Sequence, residues 1–569
     1  MRRPNLSRLC LLCYTSIALT SFVLVGSAAN TSRPNILLIL ADDLGFSDIG
    51  CFGSEIHTPN LDQLAAHGVK FTQFYNAARC CPSRASLLTG LYPQEAGMGD
   101  MESGKKIGPI GYEGRLTDRC VTIPEVLKPL GYRCYMVGKW HLGGTPNPIN
   151  RGFDEFYGMI GGFNTCWKES PFYSRLPVNH PARHYAPGKF YSTDAFGDYA
   201  LDFIGDARKT PDQPWFLYLA FNAAHFPLHA PDSEIAKYEK IYQRGWDKIR
   251  DERFARIQSL GLIDKQKMLT PRSFIPENWA NRQTGWADKY NPPWDSLPPG
   301  RQADLARRMA VYAGMIDRMD QNIGRVIQDL RQHGELEHTL IVFLSDNGAC
   351  AEWDPYGFDG ESGPHNVLHQ GDDLKKIGGP DSYVSYGSAW ANACNTPWRL
   401  YKHYDHEGGI ATPFILSWPG HVNGGGPAID TPSDIIDIMA TFVDISGARY
   451  PQAFKDHPIL PMEGRSLVPL LSGQAEPART LFFEHEGNRA VRMARWKLVS
   501  LRGHPWELYD FDNDRSELNN LAGRNPQIAS MMAKAWDDWA ERCHVHRPKK
   551  TAANANDPIS IENPKERED

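Results

Sequence analysis

Apolar runs of strand length alternate with longer amphipathic stretches over the first three-quarters of the chain. Residues 35–40 (Asn-Ile-Leu-Leu-Ile-Leu) are apolar on both faces, which predicts a strand covered on both sides of an α/β sheet. Residues 132–137, 215–221 and 339–344 have the same character, and 413–418 adds a shorter run. Between them lie helical patterns. In residues 301–333, Leu305, Met309, Tyr312, Ile316, Met319, Ile323, Val326 and Leu330 recur at spacings of three and four, the signature of an amphipathic helix. Strands alternating with helices predict an α/β fold with a mainly parallel, mixed sheet between helices.

Helical patterns at 433–445 and 466–471 close this large region, and the pattern then changes. Residues 481–485, 490–495 and 497–501 read as short antiparallel strands, 506–510 leads into the turn-rich 512–514, and 526–545 reads as an amphipathic helix. The expected organisation is a leader over 1–29, a large domain over 30–473, a smaller α+β subdomain over 474–545, and a polar, disordered tail from 546 to 569. Two stretches break the alternation. Residues 233–300 carry Trp246, Trp279, Trp286 and Trp294, and 350–396 carry Trp353 and Trp390. Such excursions either line a cleft or pack as surface flaps.

A length of 569 residues argues for at least two domains, and 41% hydrophobic with 22% charged residues excludes a largely disordered chain. A net charge of −6 argues against a nucleic-acid partner. Arg2, Arg3 and Arg8, the apolar stretch 9–26 and Ser27-Ala28-Ala29 make a three-part secretory signal, so a secreted or periplasmic location is expected. A membrane anchor is the alternative, but the apolar run holds Ser16, Thr20 and Ser21, and no later stretch is long enough for a stable span. Eleven cysteines match no zinc spacing; those beyond the leader permit disulfides without requiring them.

Polar residues gather just after the expected strands. Asp42-Asp43 follows the first, Lys139-Trp140-His141 the second, His225 the third and Asp346-Asn347-Gly348 the fourth. Ligands of parallel sheets bind beyond the carboxyl ends of the strands, so the shared position outweighs the ordinary reading of each residue alone. Adjacent carboxylates repel unless a cation holds them, and Asp42, Asp43, Asp346 and Asn347 offer only oxygen, which favours Ca²⁺ or Mg²⁺. The stretch Cys80-Cys81-Pro82-Ser83-Arg84-Ala85-Ser86-Leu87-Leu88-Thr89-Gly90 reads as a helix. Pro82 suits its first turn and Gly90 its end, which places a thiol near the anion-attracting helix N-terminus beside the cationic fork of Arg84.

The string Cys-x-Pro-Ser-Arg followed by Ala-Ser-Leu-Leu-Thr-Gly resembles the signature of type I, formylglycine-dependent sulfatases, and Gly97-Met98-Gly99 after it is similar to bacterial arylsulfatases. Asp42-Asp43, Gly138-Lys139-Trp140-His141, Asp346-Asn347-Gly348, Lys402 ahead of Glu407-Gly408-Gly409, and Trp506 to Asp510 match family motifs in order. The resemblance implies an alkaline-phosphatase-like large domain. It also implies that a maturation enzyme converts Cys80 to formylglycine, with Cys81 at the variable position. Asp42, Asp43, Cys80, Asp346 and Asn347 would surround a metal, usually Ca²⁺, with Mg²⁺ as the alternative. Arg84 would support the hydrated aldehyde, and His141 would assist proton transfer. Lys139 and Lys402 would neutralise sulfate and leaving oxygens, and His225 would bind sulfate or protonate the leaving group. The implied substrate is a small-molecule or carbohydrate sulfate ester. Two rivals stand beside this reading: a phosphate mono- or diesterase of the same superfamily, and a catalytically silent carbohydrate-binding relative.

Overall fold

Eight strands form the central sheet of the computed structural model, which describes residues 33–104, 107–263 and 268–546. Their order is Val69–Phe71, Phe414–Ser417, Thr339–Ser345, Asn35–Ala41, Trp215–Ala220, Arg133–Lys139, Glu155–Met159 and Ser174–Leu176. The five from Thr339–Ser345 to Glu155–Met159 run parallel, and the three flanking strands are antiparallel to their neighbours. The expected mainly parallel, mixed sheet is therefore present. The leader and all of the tail except His546 lie outside the described residues.

The first strand shows why the fold needs such apolar runs. Successive side chains point to opposite faces. Leu37 and Ile39 enter one core with Met309, Ile316 and Ile323 of the helix Pro299–Gln332. Ile36, Leu38 and Leu40 enter the other with Leu87 and Leu88 of the helix Cys80–Thr89. Each such side chain contributes about 1.5–3 kcal/mol by burial. The helix Cys80–Thr89 ends as its sequence predicts. Gly90 adopts φ 70°, and its N–H donates to the Ser86 carbonyl. A Cβ there would also lie 2.7 Å from Met439 Cβ, so glycine serves both the turn and the packing.

A separate antiparallel sheet, Thr480–His485, Asn488–Met493, Trp496–Ser500 and Glu507–Asp510, carries the helix Pro526–Arg542. Trp536 Nε1 donates to the Phe483 carbonyl at 3.0 Å, and Trp539 stacks on Phe482 with centroids 5.3 Å apart. Buried ion pairs join this sheet to the rest. Lys497 Nζ lies 3.0 Å from Glu407 Oε1, and Arg515 Nε lies 2.7 Å from Glu407 Oε2. Removing one partner of such a pair costs about 3–5 kcal/mol.

Several sequence expectations change. Residues 233–300 are not irregular: they contain the helices Asp232–Tyr242, Gly245–Ser259 and Trp279–Thr284. Trp246, Trp294 and Trp390 line no cleft; they pack edge-on in the core, with centroids 4.7–5.7 Å apart. Residues 433–434 are not helical. They pair in parallel with Phe74–Tyr75, and the helix starts at Asp437. The nine described cysteines are all free. Among the described residues, no helix is long and apolar enough to cross a membrane.

Candidate active site

The four expected strand ends open on one edge, and their polar side chains meet there. Asp42 and Asp43 leave Asn35–Ala41, Lys139 ends Arg133–Lys139, His225 follows Trp215–Ala220, and Asp346 and Asn347 follow Thr339–Ser345. Lys402 arrives on a loop fixed by its N–H to the Ala349 carbonyl at 3.2 Å. That loop approaches closely because Gly348 has no side chain: a Cβ would sit 1.8 Å from the Gly408 carbonyl oxygen. Asp43 (φ 59°), His141 (φ 54°) and His403 (φ 84°) hold left-handed backbone, a cost of order 1–3 kcal/mol each that the surrounding packing imposes.

Cys80 Sγ lies 3.7 Å from Asp42 Oδ1, in the first turn of its helix. Cys81 points away into the apolar core. Arg84 donates from Nε and Nη2 to Asp346 Oδ2 at 3.0 and 2.8 Å, and from Nη1 to the Lys139 carbonyl at 2.8 Å. Lys139 Nζ donates to Asp42 Oδ2 at 2.7 Å, and Lys402 Nζ to Asp43 Oδ2 at 2.9 Å. Asn347 Nδ2 donates to Asp43 Oδ1 at 2.7 Å, and the Asp43 N–H to Asp346 Oδ1 at 3.2 Å. His225 Nε2 lies 3.4 Å from both Lys402 Nζ and Asp43 Oδ2. All ten expected residues gather here, although His141 stands slightly apart, its Nε2 4.0 Å from Glu102 Oε1 and its Nδ1 without a hydrogen-bond partner.

The electrostatics follow from burial and pairing. Burial pushes Asp42 up to about 7 against the pull of Lys139. Burial also pushes Asp43 upward, but His225, Lys402 and Lys139 overcome it and hold this carboxyl below the usual range. Burial drives His225 down to about 3, against the opposing pull of Asp43, and keeps it neutral. The Cys80 thiol is pushed up to about 12 by burial despite Lys139 and Lys402.

The buried cluster has the proximity needed to hold a cation. Ligand atoms of Asp42, Asp43, Cys80 and His225 lie within 4.8 Å of one another. Asn347 is fully buried, yet its Oδ1 has no hydrogen-bond partner. A buried acceptor left unpaired is costly unless something uses it, and oxygen donors are what Ca²⁺ and Mg²⁺ prefer.

Sequence reasoning missed an outer ring of charge. Glu352 Oε1 lies 3.5 Å from both Lys402 Nζ and Arg79 Nη1, and 3.3 Å from His403 Nε2. His403 Nδ1 lies 2.9 Å from Glu486 Oε2, and Arg79 contacts the same imidazole. The group His403, His485 and Glu486 has metal-ligand proximity, but the Arg79 guanidinium at its edge makes it an ion-pair network. Position was the available signal: Arg79 precedes Cys80, His403 follows Lys402, and Glu352 trails the fourth strand end.

Comparison with known proteins bears on this geometry. A family model described as Sulfatase matches residues 34–448, and one described as N-sulphoglucosamine sulphohydrolase, C-terminal, matches residues 398–542. The chain is 37% identical over 463 residues to an arylsulfatase of Klebsiella aerogenes, covering 79% of this chain and 95% of that one. It is 35% identical over 540 residues to an uncharacterized sulfatase of Schizosaccharomyces pombe, covering 89% and 93%. The crystal structure of Ps i-CgsB superposes with a TM-score of 0.62 at 26% identity, covering 89% of this chain and 93% of that one.

Proposed function

The chain belongs to the sulfatase family and is a sulfuric ester hydrolase, and from that premise we propose that it cleaves sulfate monoesters with Cys80 as formylglycine and a divalent cation, Ca²⁺ or Mg²⁺, held by Asp42, Asp43, Asp346 and Asn347. The observation that carries this reading is the position of Cys80: a first-turn side chain 3.7 Å from Asp42, inside a buried group that also contains Arg84, Lys139 and Lys402. Hydrated formylglycine supplies a hydroxyl nucleophile with a second hydroxyl for releasing sulfate, and the cation supplies positive charge at the sulfate oxygens.

The chain's own groups do the rest. Lys139 and Lys402 are fixed by their carboxylates and present ammonium charge where sulfate oxygens would lie, so little reorganisation is needed as charge develops. Arg84 ties the helix of Cys80 to the Asp346 strand end and sets the distance between nucleophile and acid. His225 Nδ1 faces the Phe226 carbonyl at 2.6 Å, which fixes its neutral tautomer with Nε2 as acceptor towards Lys402. In that state His225 orients Lys402, and it delivers a proton only as imidazolium. His141, with Nδ1 uncommitted, is free to take a proton from a hydroxyl beside Cys80. The same reading adds a formylglycine-generating maturation enzyme as partner. It also adds export to a secreted or periplasmic location, supported by the charged, apolar and small-residue pattern of residues 1–29.

The test is kcat/KM for 4-nitrophenyl sulfate and 4-nitrophenyl phosphate, measured on protein shown by mass spectrometry to carry modified Cys80. A pocket this cationic binds phosphate well, so discrimination must come from turnover. Sulfate ester turnover should dominate and vanish in Cys80→Ala. Equal or greater phosphate turnover that survives Cys80→Ala would move the protein to the phosphate-ester hydrolases.

A further inference from the structure

Lys139 and Lys402 both bring an ammonium to the site, but the chain holds them differently. Lys139 is the last residue of a paired strand, in register with Met159, and its carbonyl accepts from Arg84. Lys402 rides on a loop, and the next residue, His403, has left-handed backbone. Its side chain must therefore be fixed by its neighbours. Lys402 is buried, with Nζ facing two carboxylates: Asp43 Oδ2 at 2.9 Å and Glu352 Oε1 at 3.5 Å. The two are not equivalent. Asp43 belongs to the proposed cation ligands, and a divalent ion there repels the ammonium that Asp43 holds. Glu352 lies outside the ligand set.

Glu352 is held both charged and still. Burial pushes its carboxyl up, but Lys402, His403 and Arg79 outweigh this and keep it well below the usual carboxylate range. Its Oε2 accepts from Ser362 Oγ at 3.1 Å, and its carbonyl accepts from Ser385 Oγ at 2.6 Å. Its Oε1 lies 3.3 Å from His403 Nε2. The other ring nitrogen of His403 lies 2.9 Å from Glu486 Oε2, in the turn between the strands Thr480–His485 and Asn488–Met493. The His403 N–H donates to the Ala78 carbonyl at 2.9 Å, close to the helix of Cys80. Contacts thus run from the C-terminal sheet through Glu486, His403 and Glu352 to Lys402. Apolar side chains of similar volume would stabilise such an interior as well as buried charge does, so stability alone does not account for the carboxylate.

We propose that Glu352 is a positioning residue: it keeps the Lys402 ammonium at the sulfate when a cation occupies Asp43, and Glu486 of the C-terminal sheet steadies it through His403. The inference rests on the sulfatase reading above. It also gives the stretch 350–396, which interrupts the alternation of strands and helices, a part in the site.

The experiment uses wild type, Glu352→Gln, Lys402→Met and the double variant, each confirmed by mass spectrometry to carry modified Cys80. Glutamine keeps the shape of Glu352 and removes its charge. Steady-state kinetics on 4-nitrophenyl sulfate give kcat and KM, and calorimetric titration of metal-stripped protein gives the Kd of Ca²⁺. Glu352→Gln should lower kcat about 10²-fold with KM within about threefold. Added to Lys402→Met, the same change should cost no more than about twofold, because the group it positions is gone. Ca²⁺ should bind Glu352→Gln about tenfold more weakly, since Lys402 then competes with the ion for Asp43, and Lys402→Met should reduce that difference to about twofold or less. Equal fold-losses with and without Lys402 would make Glu352 a support for the fold, and unchanged kcat in Glu352→Gln would equally overturn the proposal. If Glu352→Gln does not fold, Glu486→Gln takes its place at the far end of the contacts. It should lower kcat about fivefold, and only while Lys402 is present; no loss, or the same loss without Lys402, would overturn the proposal. Wild type that turns over no sulfate ester would take down the sulfatase reading. The Ca²⁺ titrations, read without turnover, would then still decide whether Glu352 acts through Lys402.

Discussion

Arg84 reaches from the helix that carries Cys80 to a single oxygen of Asp346, with Nε at 3.0 Å and Nη2 at 2.8 Å. Its third nitrogen donates to the Lys139 carbonyl, so one side chain ties together the helix of Cys80, the Asp346 carboxylate and the Lys139 strand end. Lysine cannot make this fork. Arg84→Lys should therefore lower kcat/KM for an aryl sulfate about 10²–10³-fold and lower Tm, because a buried carboxylate loses its paired donors. Steady-state kinetics and thermal melts measure both. Near wild-type turnover in Arg84→Lys would show that the fork does not position the nucleophile.

Cys80 and Cys81 are adjacent and both buried, yet they face different surroundings. Cys80 looks at Asp42, and Cys81 packs with Leu87, Leu88 and Trp140 in the core. Cys80→Ala should abolish turnover, whereas Cys81→Ala should keep most of it and lose about 1–2 kcal/mol of stability by cavity formation. Peptide mass spectrometry should find the modification at Cys80 alone. A modified Cys81 beside an intact Cys80 thiol would reverse the assignment.

The unpartnered Asn347 Oδ1 and the Asp42, Asp43 and Asp346 carboxylates lead to a metal prediction. Exhaustive chelation should remove activity, and Ca²⁺ or Mg²⁺ should restore it. Asn347→Ala should weaken metal retention at least tenfold, read by elemental analysis of dialysed protein, a measurement independent of turnover. Stoichiometric zinc held by these residues would refute the hard-cation assignment.

Much of this was legible in the sequence, for one reason. Strands buried on both faces must be apolar throughout, so residues 35–40, 215–221 and 339–344 declared themselves, and their polar followers marked the edge at which the structure gathers them. The helix Gly245–Ser259 stayed hidden because the core here accepts charge. Arg253 is fully buried, donating from Nη1 to Asp48 at 2.6 Å and from Nη2 to Glu55 at 2.8 Å, and Arg250 is buried on Thr270. A periodicity reading assigns such positions to solvent and loses the helix. Glu352, His403 and Glu486 escaped for a related reason: their partnership exists only across long sequence separations.

Asp405 sits a short way along the chain from Lys402, buried, and offers a pH prediction away from the proposed metal ligands. Burial pushes its carboxyl up to about 8; Glu484 adds to the rise, and His485 and Lys497 oppose it. In the unfolded chain the same group titrates near 3.9. The folded protein therefore holds a proton that the unfolded chain has already released. The resulting stability is fully present below about pH 4, shrinks as pH rises, and is lost once pH passes about 8. Asp405→Asn removes the titration while keeping the shape. Between pH 5 and pH 9, wild-type Tm should fall by a few degrees more than that of Asp405→Asn, about the shift expected for a few kcal/mol in a chain of this size. The comparison between the two proteins cancels the contribution of every other titrating group. Parallel melting curves across that range would mean that Asp405 carries no such proton, and that the buried carboxylate is compensated by His485 and Lys497 after all.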